Sequence, residues 1–279
     1  MKENDRDMPL ISVIVTTRNE EDAIRNCLKS VRNQTYKPVE IIVVDNASDD
    51  RTLNIARQFT NLVFDKGPER SAQRNYGAKQ AKGTYLLFLD ADMVISPTTV
   101  EECVVAINKN NVRACIVPET STGSGFWTKC KILERTYYEG VVWMEAARFY
   151  DKKTFVLLEG FDEELTGPED FDLSQRVAAQ YGQKSISRIT SYIYHDEGVI
   201  RLTELLRKKY YYGRQMHRYV SKNDNRLVSR LQANPWKRYT LFFRKPNSLL
   251  YDPIHAIGMM FMKTLELGAL ALGMITSYI

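Results

Sequence analysis

Cysteine is scarce in this chain and histidine scarcer still, with four of the first and three of the second among 279 residues. Cys27, Cys103, Cys115 and Cys130 are scattered, with no CxxC pair and no histidine at zinc-ligand spacing. That argues against a zinc site and for a reducing compartment. The opening MKENDRDMPL lacks any apolar stretch, so no secretory signal is expected and the chain should stay where it is made. Internal repeats and low-complexity tracts are missing too. What remains is an ordinary globular composition, 44% hydrophobic and 26% charged, enough to build a core without staples. The length suits one large domain, or one domain with a helical appendage.

Charge is unevenly spread. Between Arg201 and Lys245 thirteen Lys or Arg face only Glu204 and Asp224, a local net of +11 within an overall +5. Such a block points to an anionic partner: a membrane surface, a phosphate-bearing substrate or nucleic acid.

The first two hundred residues alternate strand and helix patterns. Ile11–Thr17, Val39–Val44, Leu62–Phe64 and Tyr85–Leu89 read as strands, and Glu21–Val31, Asp50–Phe59 and Ser71–Ala81 as the helices between them. Next come a helix at Thr98–Asn110, a strand at Cys115–Pro118, a loop at Thr120–Gly125 and a long helix at Phe126–Ala147. A strand at Lys153–Leu158, a helix at Asp172–Tyr181 and a last strand at Ser185–Ile193 complete the pattern. This is an α/β arrangement with a mostly parallel sheet and helices on both faces. Ligands in such sheets bind beyond the carboxyl ends of the strands. There the chain sets Thr17-Arg18-Asn19-Glu20, Asp45-Asn46 and Asp90-Ala91-Asp92.

The Asp90-Ala91-Asp92 triplet is the sharpest chemical feature. Two carboxylates one residue apart after an apolar strand can place one on a divalent metal and the other on a sugar or ribose hydroxyl. Hard oxygen ligands suit Mg2+ or Mn2+, which bridge the phosphates of a nucleotide. Acids after strands also serve as turn and helix caps, so the triplet alone does not decide. Glu169 and Asp170, at the start of EDFDLSQRV, admit two readings: a helix-dipole pair, or a carboxylate that takes a proton from an attacking hydroxyl.

Four motifs in order, SVIVTTRNEE, VEIIVVDNASDDRT, RSAQRNYGAKQAKGTYLLFLDADM and GFDEELTGPEDFDLSQRVAAQYG, make the chain from Leu10 to about Gly198 resemble glycosyltransferase family 2. The resemblance implies the GT-A fold over 1–200, with 201–279 as a basic, then apolar, helical extension. It implies that Thr16, Arg18 and Glu20 line a nucleotide pocket, although many members carry proline or tyrosine where this chain has Thr16 and Arg18. It further implies that Asp45 accepts from the base, Arg74 approaches the diphosphate, Asp90 faces the ribose or donor sugar, Asp92 holds the metal, and Ala91 lies between them. Asp170 becomes the general base, Glu169 orients the acceptor or its loop, and His195 becomes a second metal ligand. The implied reaction is transfer, with inversion, from a uridine or guanosine diphosphate sugar to a hydroxyl of a glycan or lipid-linked acceptor.

Leu202–Val220 is a basic amphipathic stretch, and Ile254–Ile279 is nearly uncharged apart from Lys263 and Glu266, spaced to pair on a helix. His255, Lys263, Glu266, Gly273 and Ser277 share one stripe of that helix. Membrane attachment follows as an expectation, by one helix or a shallow re-entrant arrangement, with a buried soluble helix as the other reading. The preceding positive residues place the catalytic region on the cytoplasmic face. Three rivals predict differently. A polyprenyl-phosphate sugar synthase would not need Asp170, since a phosphate is already a nucleophile. A sugar-nucleotide-forming nucleotidyltransferase would carry a Gly-rich basic loop after the first strand, which TTRNEE is not. A non-catalytic module using the basic segment on nucleic acid would not depend on Asp92, and no motif specific to a nucleic-acid fold is present.

Overall fold

The computed structural model describes residues 8–109, 111–222 and 227–276. Residues 1–7, Asn110, Asp224 and Ser277, which enter the expectations above, lie outside the described residues. The chain runs β1 (Ile11–Thr17), α1 (Ile24–Arg32), β2 (Val39–Asp45), α2 (Thr52–Ala56), β3 (Val63–Asp65), α3 (Arg70–Gln80) and β4 (Tyr85–Asp90). Then follow β5 (Met93–Ile95), α4 (Thr99–Ile107), β6 (Ala114–Ile116), β7 (Glu119–Thr122), α5 (Phe126–Tyr138), β8 (Ala147–Asp151) and α6 (Lys152–Leu157). Beyond these lie α7 (Glu169–Tyr181), β9 (Ile186–Arg188), β10 (Ile193–Asp196) and α8 (Leu202–Lys222). The chain ends in α9 (Leu227–Ala233), α10 (Pro235–Thr240), α11 (Pro246–Tyr251) and α12 (Pro253–Thr276).

Two compact units result. The first holds residues up to Pro118, Ala147–Glu163 and Arg176–Tyr194; the second holds Glu119–Ala146, Glu164–Gln175 and His195 onward. In the first unit a seven-stranded sheet has the order β3-β2-β1-β4-β8-β6-β9. Strands β3, β2, β1 and β4 are parallel, while β8 runs antiparallel to both β4 and β6. Every residue of β1 is buried, as expected of a central strand covered on both faces. The register sets Thr17 opposite Asp45 and Thr16 opposite Asp90, so three strand ends bring their polar residues to one edge. Helix α3 packs close on that sheet at Gly77, where a Cβ would come within 2.5 Å of Ile14.

Several local expectations are corrected. Lys153–Leu158 is not a strand but lies on α6 and its C-cap. Asp151 caps that helix, accepting from the Thr154 amide at 2.9 Å and its hydroxyl at 2.8 Å, and this outweighs the β-branched and aromatic content of KKTFVL. The long helix from Phe126 stops at Tyr138, Gly140 takes φ +70°, and the chain then enters β8, which the helical reading had hidden. Ser185–Ile193 is not one strand. It breaks between β9 and β10 where Glu102 accepts from the backbone amides of Thr190 and Ser191. The expected loop at Thr120–Gly125 begins as β7, and β5 was not anticipated.

In the second unit α5, α8 and α12 pack together. Lys263 donates to Glu134 at 2.6 Å and to Glu266 at 3.0 Å, while Lys131 donates to the same two carboxylates at 2.8 and 3.0 Å. The four side chains form a closed ring of alternating charge, none more than 9% exposed. The expected Lys263–Glu266 pair therefore forms and faces protein. One turn-rich contact farther along, Gly213 of α8 meets Gly273 of α12; a Cβ on Gly273 would lie 2.2 Å from the Tyr210 carbonyl oxygen. Only glycine lets the two backbones approach so closely. Replacing Lys263 by Met leaves two buried carboxylates with Lys131 as their shared direct partner and Lys209 near Glu266. It is expected to cost about 3 kcal/mol of stability, read as a lowered thermal midpoint, with partial recovery when Glu134→Gln is added.

Candidate active site

At the carboxyl edge of the sheet the Asp90 carboxylate collects three hydrogen-bond donors and a fourth cationic neighbour. Thr16 Oγ1 and an Arg74 amino group each lie 2.9 Å from Oδ1, Arg70 lies 3.4 Å from Oδ2, and Arg148 lies 4.0 Å away. Arg74 and Arg70 stand four residues apart on α3 and so share a helix face. Arg148 arrives by topology. Because β8 is antiparallel to β4, its first residues lie at the carboxyl end of β4. Arg74 is wholly buried, with its guanidinium 5.3 Å from the Phe161 ring centroid. Burial alone would raise the Asp90 pKa, but Arg74, Arg70 and Arg148 outweigh it and hold the carboxyl well below the ordinary range. Three guanidinium groups and the Asp90 carboxylate thus meet in a partly dehydrated place, and guanidinium forks suit carboxylate or phosphate oxygens.

The loops after β1 and β2 are laced together beside this cluster. Asn19, at φ +52°, accepts from the Asp49 amide at 3.0 Å, and its own amide donates to Ser48 Oγ at 2.8 Å. Asp45 is fully buried and accepts from the Ser48 amide at 2.7 Å and hydroxyl at 2.6 Å. Its carboxylate therefore holds the β2–α2 turn, and each oxygen keeps a further lone pair for a base. Gln73 donates to the carbonyls of Thr17 and Val44 at 3.0 and 2.7 Å, clamping the ends of β1 and β2. Arg18 is exposed and Glu20 half-buried, while the Ala91 amide donates to the Thr16 carbonyl at 3.1 Å. Thr16, Arg74 and Asp90 are thus brought into direct contact, and Asp45 is not part of that contact set.

Asp92 is half-buried, just past β4. Among the described residues no group of three or more His, Cys, Asp or Glu is gathered as a cage. A magnesium-type ion needs only one or two protein carboxylates, its shell being completed by phosphates and water. Asp92, two residues past Asp90, offers one such carboxylate.

The other site residues belong to the second unit. Glu169 is buried and Asp170 half-buried in the first turn of α7, where Ser174 Oγ donates to the Asp170 carbonyl at 2.8 Å. His195 Nδ1 lies 3.1 Å from an Arg135 amino group and 3.8 Å from Glu197 Oε1. A guanidinium only donates, so in this arrangement Nδ1 accepts and the neutral ring carries its proton on Nε2. A metal on Nε2 would require Nδ1 to donate instead, and Glu197 is the acceptor within reach of a small ring rotation. Burial pushes the Glu197 carboxyl up, but the His195 ring when protonated and the Arg135 guanidinium outweigh it and hold the carboxyl below its ordinary value. Arg135 also pairs with Glu119 at 2.9 Å. Sequence reasoning passed over Arg70, Gln73, Arg148, Arg135 and Glu197. Only Arg70 had a signal, its helical spacing from Arg74.

Residues 12–161 match the sequence model of glycosyl transferase family 2, more than half of the chain. Glycosyltransferase AglE of Haloferax volcanii is 42% identical over 94 residues, 30% of this chain and 31% of that protein's length. The chain therefore spans about a third of that relative. Among solved structures, the mannosyltransferase PcManGT from Pyrobaculum calidifontis, in complex with GDP-Man and Mn2+, superposes with a TM-score of 0.63 at 16% identity. The match covers 97% of this chain and 87% of that one. S. aureus TarS 1-349 in complex with UDP gives 0.53 at 18% identity, covering 96% and 91%. These likenesses are of fold. The chain belongs to glycosyl transferase family 2 and has the GT-A fold.

Proposed function

We propose that this chain is an inverting, metal-dependent glycosyltransferase that moves a sugar from a uridine or guanosine diphosphate donor to a hydroxyl of a glycan or lipid-linked acceptor at the cytoplasmic face of a membrane. The observation that carries the reading is the gathering of Arg70, Arg74 and Arg148 around Asp90 at the carboxyl edge of the sheet. Arg70, Arg74 and Arg148 are placed to bind the diphosphate, and Asp90, held ionised among them, can accept from a ribose or sugar hydroxyl. Mn2+ or Mg2+, held by Asp92 with His195 as a second ligand, would supply charge neutralisation for the departing diphosphate. Thr16, Arg18, Glu20 and Asp45 line the base and ribose side. Asp170 accepts the proton of the acceptor hydroxyl as its oxygen bonds to the anomeric carbon and the bond from that carbon to the diphosphate breaks. Attack from the face opposite the leaving group converts an α-linked donor into a β-linked product. Glu169, buried beside Asp170 in the same helical turn, orients the acceptor or its loop.

The membrane part of the reading rests on Pro253–Thr276, whose mean hydropathy of 1.4 and 24 residues suffice for membrane contact. The basic stretch before it suits the cytoplasmic side.

Calorimetric titration with a panel of uridine and guanosine diphosphate sugars, with and without Mn2+, tests the donor assignment. One donor is expected to bind in a metal-dependent manner and to lose that dependence in Asp92→Ala; no metal-dependent binding by folded protein contradicts it. Arg148→Ala is expected to weaken donor binding about tenfold, or ~1.4 kcal/mol, in protein that circular dichroism shows to be folded. Asp170→Asn is expected to lower kcat by about 10²–10⁴ while leaving donor affinity intact. Transfer to a lipid phosphate that survives this substitution would instead identify a polyprenyl-phosphate acceptor.

A further inference from the structure

Helix α12 presents one face that its neighbours leave bare. Ile254, Ile257, Phe261, Leu272 and Ile275 are 54–71% exposed, and Thr264, Gly268 and Ala271 are exposed between them. The spacing is three or four residues throughout, so these positions form one stripe along the whole helix, without a charged residue. The opposite face is committed to protein, through the Lys263 and Glu266 ring to α5 and the Gly273 contact to α8. The bare stripe is widened by aromatic groups from neighbouring elements. Tyr239 on α10 hydrogen-bonds Thr264 at 2.6 Å, and Trp127 stacks on Phe261 with ring centroids 6.2 Å apart. Tyr251 and Leu250, just before α12, are 93% and 79% exposed.

These contacts decide how α12 can meet a membrane. A spanning helix would carry its neighbours into hydrocarbon, including Lys131 and Glu134 of α5 and Arg207, Lys208 and Arg214 of α8. Charges at that depth are costly. A helix lying in the plane of one leaflet buries only its outer stripe and leaves α5 and α8 in water. Charge chooses the occupant of the stripe. The residues from Arg201 to Lys245 carry a net +11, and Lys129, Lys237, Arg244 and Lys245 are exposed. A second copy of the chain would bring two such basic segments together, whereas an anionic lipid surface complements them.

We propose that α12 is an in-plane docking helix, with its stripe from Ile254 to Ile275 sunk into one leaflet of an anionic phospholipid bilayer and the surrounding lysines and arginines on the headgroups. This rests on the membrane part of the function above and is separable from its catalytic part. The test is co-flotation of the full chain with vesicles of phosphatidylcholine mixed with phosphatidylglycerol, and with phosphatidylcholine alone. Binding is expected with the anionic vesicles, to fall at least tenfold without phosphatidylglycerol or at high salt, and to be released by alkaline carbonate. The double variant Ile257→Glu, Phe261→Glu is expected to lose vesicle binding while keeping the wild-type thermal midpoint and nucleotide-sugar affinity. Retention through carbonate would mean a transmembrane span and overturn the proposal. So would absent vesicle binding, or a dimer in analytical ultracentrifugation that the same double variant dissociates. A chain that fails to float but still binds its donor defeats docking alone; one that floats but binds no donor defeats the catalytic reading alone.

Discussion

A carboxylate buried at the end of a central strand must be compensated, and the way Asp90 is compensated organises much of the first unit. Its partners come from β1 through Thr16, from α3 through Arg70 and Arg74, and from β8 through Arg148. Each of those elements must then hold its register. The parallel pairing of β1 with β4 sets Thr16 opposite Asp90, α3 lies close on the sheet because Gly77 has no side chain, and β8 runs backwards so that its first residues reach the same edge. The arginines in turn repel one another unless an anion lies among them. Asp90 supplies one such negative charge.

The arginine cluster around Asp90 belongs to the first unit. The second unit contributes different chemistry. Its acids lie in the first turn of α7, and its histidine is held by Arg135 with Glu197 in reserve. The hydrogen bond from Arg135 to Nδ1 means that His195 serves as an Nε2 ligand only after its ring partner changes from a donor to an acceptor. The same unit carries the buried charge ring that ties α12 to α5, which is why the most apolar helix of the chain has a polar inner face.

Much of this could be read before any coordinates. Strands β1, β2 and β4 are apolar-rich runs, broken by Ser12 in β1 and Glu40 in β2, that end at Thr17, Asp45 and Asp90. The Lys263–Glu266 pair was legible from spacing alone. What escaped was non-local. Arg148 fell between the helix expected over Phe126–Ala147 and the strand expected over Lys153–Leu158, and its position depends on a strand reversal that periodicity cannot show. KKTFVL carries strand-forming residues, yet a cap on Asp151 makes it helical. Glu197 follows His195 by two residues, but its proximity to Nδ1 depends on Arg135 from another helix.

The most direct measurement is the anomalous scattering of manganese in a crystal of this chain grown with Mn2+ and a uridine or guanosine diphosphate. The account predicts a manganese peak at coordination distance, about 2.2 Å, from the Asp92 carboxylate, with the diphosphate among Arg70, Arg74 and Arg148. A nucleotide bound away from those arginines, or manganese bound without Asp92, would contradict it.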